Sequence, residues 1–132
     1  MRLMLDTNIC IYIINARPPA VLQRFTSYAV GDIGISAITL AELEYGAAKS
    51  AQPRRNREAL QQFISPLEVA AFDAEATTVY GRIRTTLERR GTPIGAMDLL
   101  IAAHAVSLGL TLITNNKREF ERISGLRTEN WL

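Results

Sequence analysis

One cysteine in 132 residues leaves no partner for an intramolecular disulfide. Cys10 stands in the apolar run Ile9-Cys10-Ile11 with no histidine nearby in sequence, which reads as a small buried hydrophobe rather than a nucleophile. A chain without disulfides suits a reducing compartment, the cytoplasm. Aromatic residues make up only 7% of the chain, so its core must come mainly from Leu, Ile, Val and Ala, as in helices packed on a sheet. No run approaches the roughly 18 apolar residues that span a bilayer. The opening Met1-Arg2-Leu3-Met4-Leu5 reaches Asp6 before any signal-peptide core can form, so a soluble protein with no membrane partner is expected. There is no Walker loop, no GxGxxG and no HExxH, and with them go nucleotide hydrolysis, dinucleotide redox chemistry and zinc proteolysis. No repeat, low-complexity tract or Gly/Ser linker divides the chain, and one domain over residues 1–132 is expected.

What the chain does have is 48% hydrophobic and 21% charged residues, enough to bury a core and exclude disorder. Its net charge is only +2, but all of its 15 bases except Lys49 and Lys117 are arginine. Arginine presents a planar fork that grips phosphate or carboxylate at two points. Its abundance also fits plain helix propensity in a GC-rich genome. If Asp6, Glu42, Asp98 and Glu119 belong to a site, the remaining surface sets 15 bases against 9 acids, a basic surround suited to a polyanion.

Short apolar runs at Leu3–Leu5, Ile33–Ser36, Leu67–Phe72, Leu110–Thr114 and, weakly, Leu126–Thr128 read as strands. Between them, Ile9–Asn15, Pro19–Tyr28, Ala37–Lys49 and Arg54–Ile64 read as helices, with prolines at the breaks. From Asp73, the residues Ala76, Val79, Tyr80, Ile83 and Leu87 form one buried helical stripe. Arg82 and Arg89 share a face of that helix. Met97–Leu108 is apolar nearly all round and ends at Gly109. Short apolar strands alternating with helices predict a parallel sheet covered on both sides, a three-layer α/β/α domain whose strands have no wet face.

The carboxylates fall where they are hard to solvate. Asp6 directly follows the first strand, at the rim where open parallel sheets bind ligands, although it could also cap the next helix. Glu42 could complete a capping box with Thr39; but Ser36 is as good a cap, and a helix starting there leaves Glu42 inside it among apolar neighbours. Asp98 opens a helix with almost no polar face, where a lone buried carboxylate would take up a proton unless a metal or a distant Arg compensated it. His104 reads as a packed core or edge histidine rather than a ligand. After the strand Leu110–Ile113 comes Thr114-Asn115-Asn116-Lys117-Arg118-Glu119, in which Asn116-x-x-Glu119 is either a helix start with its capping partner or part of a ligand shell with Thr114. One parallel sheet would bring these groups to a single edge. Carboxylates so gathered need a divalent cation, and an all-oxygen set points to Mg²⁺ or Mn²⁺ rather than Zn²⁺.

The motifs Met4-Leu5-Asp6-Thr7-Asn8, Ser36-x-x-Thr39-x-x-Glu42-Leu43-x-x-Gly46, Pro93-Ile94-Gly95-x-x-Asp98-x-x-Ile101-Ala102 and Thr114-Asn115-Asn116-x-x-Glu119-Phe120 occur in this order. With them the chain resembles a PIN domain from Met4 to Trp131, and more closely the VapC toxins of bacterial VapBC toxin–antitoxin systems. The resemblance implies a Mg²⁺-dependent endoribonuclease with Asp6, Glu42 and Asp98 as its acidic cluster and Asp6 and Asp98 as direct metal ligands. Many relatives carry Asp at the fourth position; here Asn116 and Glu119 both remain open for it. Also implied are a homodimer, a higher assembly with a VapB-type antitoxin whose tail blocks the groove, and structured RNA, tRNA among it, as substrate. Thr7, Asn8, Thr114 and Asn116 are then candidate substrate contacts. Arg82 and Arg89 are candidates for the RNA backbone or simply a solvated face. Trp131 either stacks on RNA or docks the last strand. Two other readings compete. A phosphotransfer fold would want Asp where Asn8 stands, and a non-catalytic RNA- or partner-binding module would ignore Mg²⁺.

Overall fold

The computed structural model describes all residues 1–132. Five strands, β1 (Leu3–Leu5), β2 (Ile33–Ser36), β3 (Glu68–Ala70), β4 (Thr111–Ile113) and β5 (Arg127–Glu129), pair in the order β3-β2-β1-β4-β5, every pair parallel. Seven helices connect and cover them: α1 (Thr7–Ile14), α2 (Pro19–Thr26), α3 (Ala37–Ala48), α4 (Pro53–Ile64), α5 (Ala74–Arg89), α6 (Ala96–Leu108) and α7 (Lys117–Phe120). This is the three-layer α/β/α arrangement expected.

Side chains alternate across the sheet, and the alternation divides the core. Leu3, Leu5, Ile33, Ile35 and Ile113 pack with Ile9, Ile13, Val21, Leu43 and Leu60 of the first four helices. Met4 and Leu112 face the other way, against Ile83 and Leu87 of α5, Leu99 and Ile101 of α6, and Phe120. Each such fully buried side chain contributes roughly 1.5–3 kcal/mol. In β2, Gly34 leaves room for its neighbour, since a Cβ there would sit 2.6 Å from the Glu68 carbonyl oxygen.

Helix ends follow local chemistry. Asp6, Ser36 and Asp73 cap α1, α3 and α5 through their side chains. Pro19 and Pro53 start α2 and α4, and Gly109 closes α6 in the left-handed region at φ 68°. Two expectations are corrected. α1 begins at Thr7 rather than Ile9, because Asp6 is itself its cap. The outer strands are not dry: Glu68, Val69 and Arg127 are exposed, because β3 and β5 are the sheet's two edges. Cys10 is fully buried, as read. No helix is long and apolar enough to cross a membrane.

Candidate active site

The chain runs outward from β1 to β2 and β3, then returns to the other side of β1 with β4. The crevice beyond the carboxyl ends of β1 and β4 is therefore the topological switch point, where such sheets bind ligands. Asp6 stands at the end of β1 and Thr114 follows β4, and the two strands are joined there by the Asp6 N–H donating to the Ile113 carbonyl at 3.0 Å.

Asp6 is only 4% exposed. Its Oδ1 accepts the Ile9 N–H at 2.9 Å, so Asp6 caps α1, a bond that occupies one of its two carboxylate oxygens. Burial raises its pKa above the usual 3.8, opposed by hydrogen bonds from the Thr114 hydroxyl and the Ile9 amide and reinforced by the charge of Glu42.

Ser36, not Thr39, caps α3, its Oγ accepting the Ile38 N–H at 3.0 Å. Glu42 accordingly lies within the helix, half-buried. The Thr7 hydroxyl donates to Glu42 Oε1 at 2.5 Å and lies 3.4 Å from the hydroxyl of the fully buried Thr39. Thr7, one residue past Asp6, thus ties the acid of α3 to the end of β1.

Asp98 is in the first turn of α6. Burial, then the charges of Glu119, Asp6 and Glu42 in that order, push its pKa from 3.8 up to about 6. Four acids from four separate segments therefore act on one another. Glu119 is steered to them from two sides: its Oε1 accepts the Gly95 N–H at 3.1 Å and its Oε2 the Asn116 side-chain amide at 2.7 Å. Asn116 makes no side-chain cap on α7; its own N–H donates to the Thr114 hydroxyl at 2.9 Å. Of the two readings of Asn116-x-x-Glu119, the helix start holds, since Asn116 directly precedes α7, but the capping partnership does not: no helix N–H donates to the Asn116 side chain, whose NH₂ donates to Glu119 instead. Glu119→Gln removes the largest charge acting on Asp98 and should lower its pKa, followed by carboxyl carbon chemical shift against pH. An unmoved titration would mean that the two are not coupled.

No Lys, Arg or His forms an ion pair with any of the four; the ion pairs present join Arg2 to Asp32, Arg24 to Glu129 and Arg84 to Glu88. Uncompensated oxygens, Asp6 buried and the other three half-buried, that repel one another fit a hard divalent cation. No three His, Cys, Asp or Glu side chains converge closely enough to hold a metal ion alone.

Other candidates stand apart. Asn8 is exposed on α1, beyond Thr7. Arg82 and Arg89 lie on the exposed face of α5, and no contact brings them to the acids. His104 is buried and hydrogen-bonded to Ser36, a packed histidine as read. Trp131 is buried and stacked on Tyr28 at 5.6 Å, so it docks the C-terminus and offers RNA no face. Sequence reasoning missed Gly95 as a backbone donor and Thr39 as a partner of Thr7. The latter was signalled by its position three residues before Glu42, on the same helical face.

Residues 3–126 match the family model described as PIN domain. The tRNA(fMet)-specific endonuclease VapC of Shigella flexneri is 50% identical over 131 residues, spanning 99% of this chain and 98% of its own. Ribonuclease VapC2 of Haemophilus influenzae is 47% identical over 132 residues, spanning 100% and 99%. Among solved structures, DNA-bound VapBC from Salmonella typhimurium superposes with a TM-score of 0.95 at 48% identity, covering 100% of this chain and 99% of the matched one.

Proposed function

The chain belongs to the PIN-domain family, among the VapC ribonucleases, and from that premise we propose that it is the toxin of a VapBC-type toxin–antitoxin pair, a Mg²⁺-dependent endoribonuclease acting on tRNA in the cytoplasm. Residues 1–132 serve as its single domain. The observation that carries the reading is the set of four uncompensated acids at the switch point of the sheet. The name of the Shigella relative supports tRNA as substrate.

Asp6 and Asp98 are the residues that would hold Mg²⁺, with Mn²⁺ as a substitute. Bound there, the cation supplies a Lewis acid that polarises the phosphate and makes water a stronger nucleophile. Glu42, oriented by Thr7, takes the proton of the attacking water. The water oxygen would bond to phosphorus as the bond to the 3′ oxygen breaks, and the 3′ oxygen would take a proton from solvent, giving a 5′-phosphate and a 3′-hydroxyl. Glu119, fixed by Asn116 and Gly95, would complete the fourth position through water, and Thr7 and Asn116 would face the RNA strand; Thr114, fully buried with its hydroxyl on Asp6, holds that acid rather than the substrate, and Asn8 stands apart.

A groove of about 260 Å³ between α1, α3 and α4 is lined by Ile11, Ile14, Leu43 and Leu60 and reaches Glu42. A VapB-type antitoxin segment laid there would reach Glu42, in keeping with solved neighbours that are VapBC complexes. A homodimer, and a higher assembly with antitoxin, complete the proposal. Arg82 and Arg89 are assigned to the RNA backbone. Replacing both with Glu should weaken binding and lower the salt slope by about one per lost phosphate contact. Unchanged affinity across a salt series would place them on a merely solvated face.

The experiment is incubation of antitoxin-free protein with bacterial tRNA and with a generic single-stranded RNA, in Mg²⁺ or EDTA, beside Asp6→Ala. Discrete tRNA fragments requiring both Mg²⁺ and Asp6 are expected. Folded protein that cuts neither RNA would move the reading to a non-catalytic binding module.

A further inference from the structure

His104 sits in the middle of α6, 1% exposed, and does more than fill space. Its Nδ1 lies 2.8 Å from the Ser36 hydroxyl oxygen. Ser36 is the residue at which β2 becomes α3, and its oxygen already accepts the Ile38 N–H. The hydroxyl proton is therefore free to go to the imidazole. Phe72, in the segment after β3, meets the ring edge-on with centroids 5.3 Å apart and planes at 74°, so the ring ties α6 to the β2–α3 junction and to the segment after β3. The other ring nitrogen, Nε2, is buried with no partner at good hydrogen-bond geometry, and the Ala71 backbone beside the ring favours its protonated form. A protonated Nε2 leaves one polar atom unpaired. The opposite tautomer would leave two, Nε2 and the Ser36 hydroxyl proton, so the neutral ring with Nδ1 as acceptor is the form the site selects.

Replacing both partners of a buried polar pair by apolar groups of the same shape can be nearly neutral, so stability alone does not account for this one. The two helices it joins supply one. α6 carries Asp98 six residues, about one and two-thirds turns, before His104, and α3 carries Glu42 six residues after Ser36. From Glu42 the chain of contacts continues through Thr7 to the end of β1.

We propose that His104 is a positioning residue, which through the Nδ1 to Ser36 hydroxyl hydrogen bond fixes the start of α3 against α6 and so sets the Glu42 carboxylate relative to Asp98. The inference rests on the nuclease reading and deepens it. His104 touches neither substrate nor metal; it acts through Ser36.

Two substitutions separate positioning from packing. His104→Phe keeps an aromatic ring against Phe72 and removes the acceptor. His104→Asn loses the ring and places an amide oxygen where Nδ1 was. Packing alone predicts that the Phe variant is the better protein in every respect. Positioning predicts that kcat for RNA cleavage falls by about 10- to 100-fold in His104→Phe with KM little changed, and recovers to within a few-fold of wild type in His104→Asn even though that variant melts at lower temperature. Equal kcat in wild type and His104→Phe would overturn the proposal. So would an imidazole ¹⁵N spectrum of the wild-type protein at neutral pH showing the proton on Nδ1. The ¹⁵N measurement needs neither RNA nor a stable variant. Wild-type protein that cleaves no RNA would instead overturn the nuclease reading on which the assignment depends.

Discussion

Asp98→Asn is expected to abolish RNA cleavage and, in the absence of divalent ions, to make the protein more stable than wild type. The substitution keeps the shape of the side chain and removes its charge. Removing the carboxylate proposed to hold the cation should lower the cleavage rate by about 1,000-fold or more. The stability effect has the opposite sign for a physical reason. Burial and the charges of Glu119, Asp6 and Glu42 push the Asp98 carboxyl up to about 6 from an ordinary 3.8, so above pH 6 the folded state holds a charge it disfavours. The shift corresponds to about 3 kcal/mol at full weight, and to about 1–2 kcal/mol after allowance for solvent screening of a half-buried group. In EDTA at pH 7.5 the variant should melt about 3–6 °C above wild type. A variant that is inactive and also less stable would mark Asp98 as structural.

Mg²⁺ should reverse the pH dependence of stability. Asp6 and Asp98 both have raised pKa values in the folded state. Between the ordinary carboxyl value and about 6 the folded protein binds more protons than the unfolded chain, so in EDTA these acids stabilise the fold increasingly as pH falls from 7.5 toward 5. His104, its pKa lowered chiefly by burial, works the other way, losing stability as pH falls below the unfolded value of 6.5. Taking the difference between wild type and Asp98→Asn removes that contribution. Ligand carboxylates must be ionised, so Mg²⁺ stabilisation should be fullest at pH 7–8, about 2.7 kcal/mol at 100 times Kd, and should fade below pH 6. Thermal melts at four or five pH values with Mg²⁺ or EDTA test this. An equal Mg²⁺ effect at pH 5 and pH 8, or none at either, would contradict the assignment of Asp6 and Asp98.

The fold was legible because its strands and helices differ in period and are punctuated by Pro18-Pro19, Pro53 and Gly109. The switch point could be anticipated from Asp6 and Thr114, each placed just after an apolar run. The wetness of β3 and β5 could not, because edge position follows from strand order, which short apolar runs do not encode. Within the site, Asp98 was recognisable from a polar residue on a nearly featureless helix. The interplay of Asn116, Glu119 and Gly95 was not, because Gly95 contributes a backbone amide across 24 residues of chain and any residue type carries one. The Ser36 to His104 bond spans 68 residues and was equally invisible, although each residue was noticed alone.

The central claim is that these acids direct water, rather than the ribose 2′-hydroxyl, at phosphorus. End-group analysis of the fragments formed from tRNA in Mg²⁺ tests it most directly. The account predicts 5′-phosphate and 3′-hydroxyl ends, with no fragments from Asp6→Ala or in EDTA. Ends bearing a 2′,3′-cyclic phosphate would contradict it, since they form only when the 2′-hydroxyl attacks.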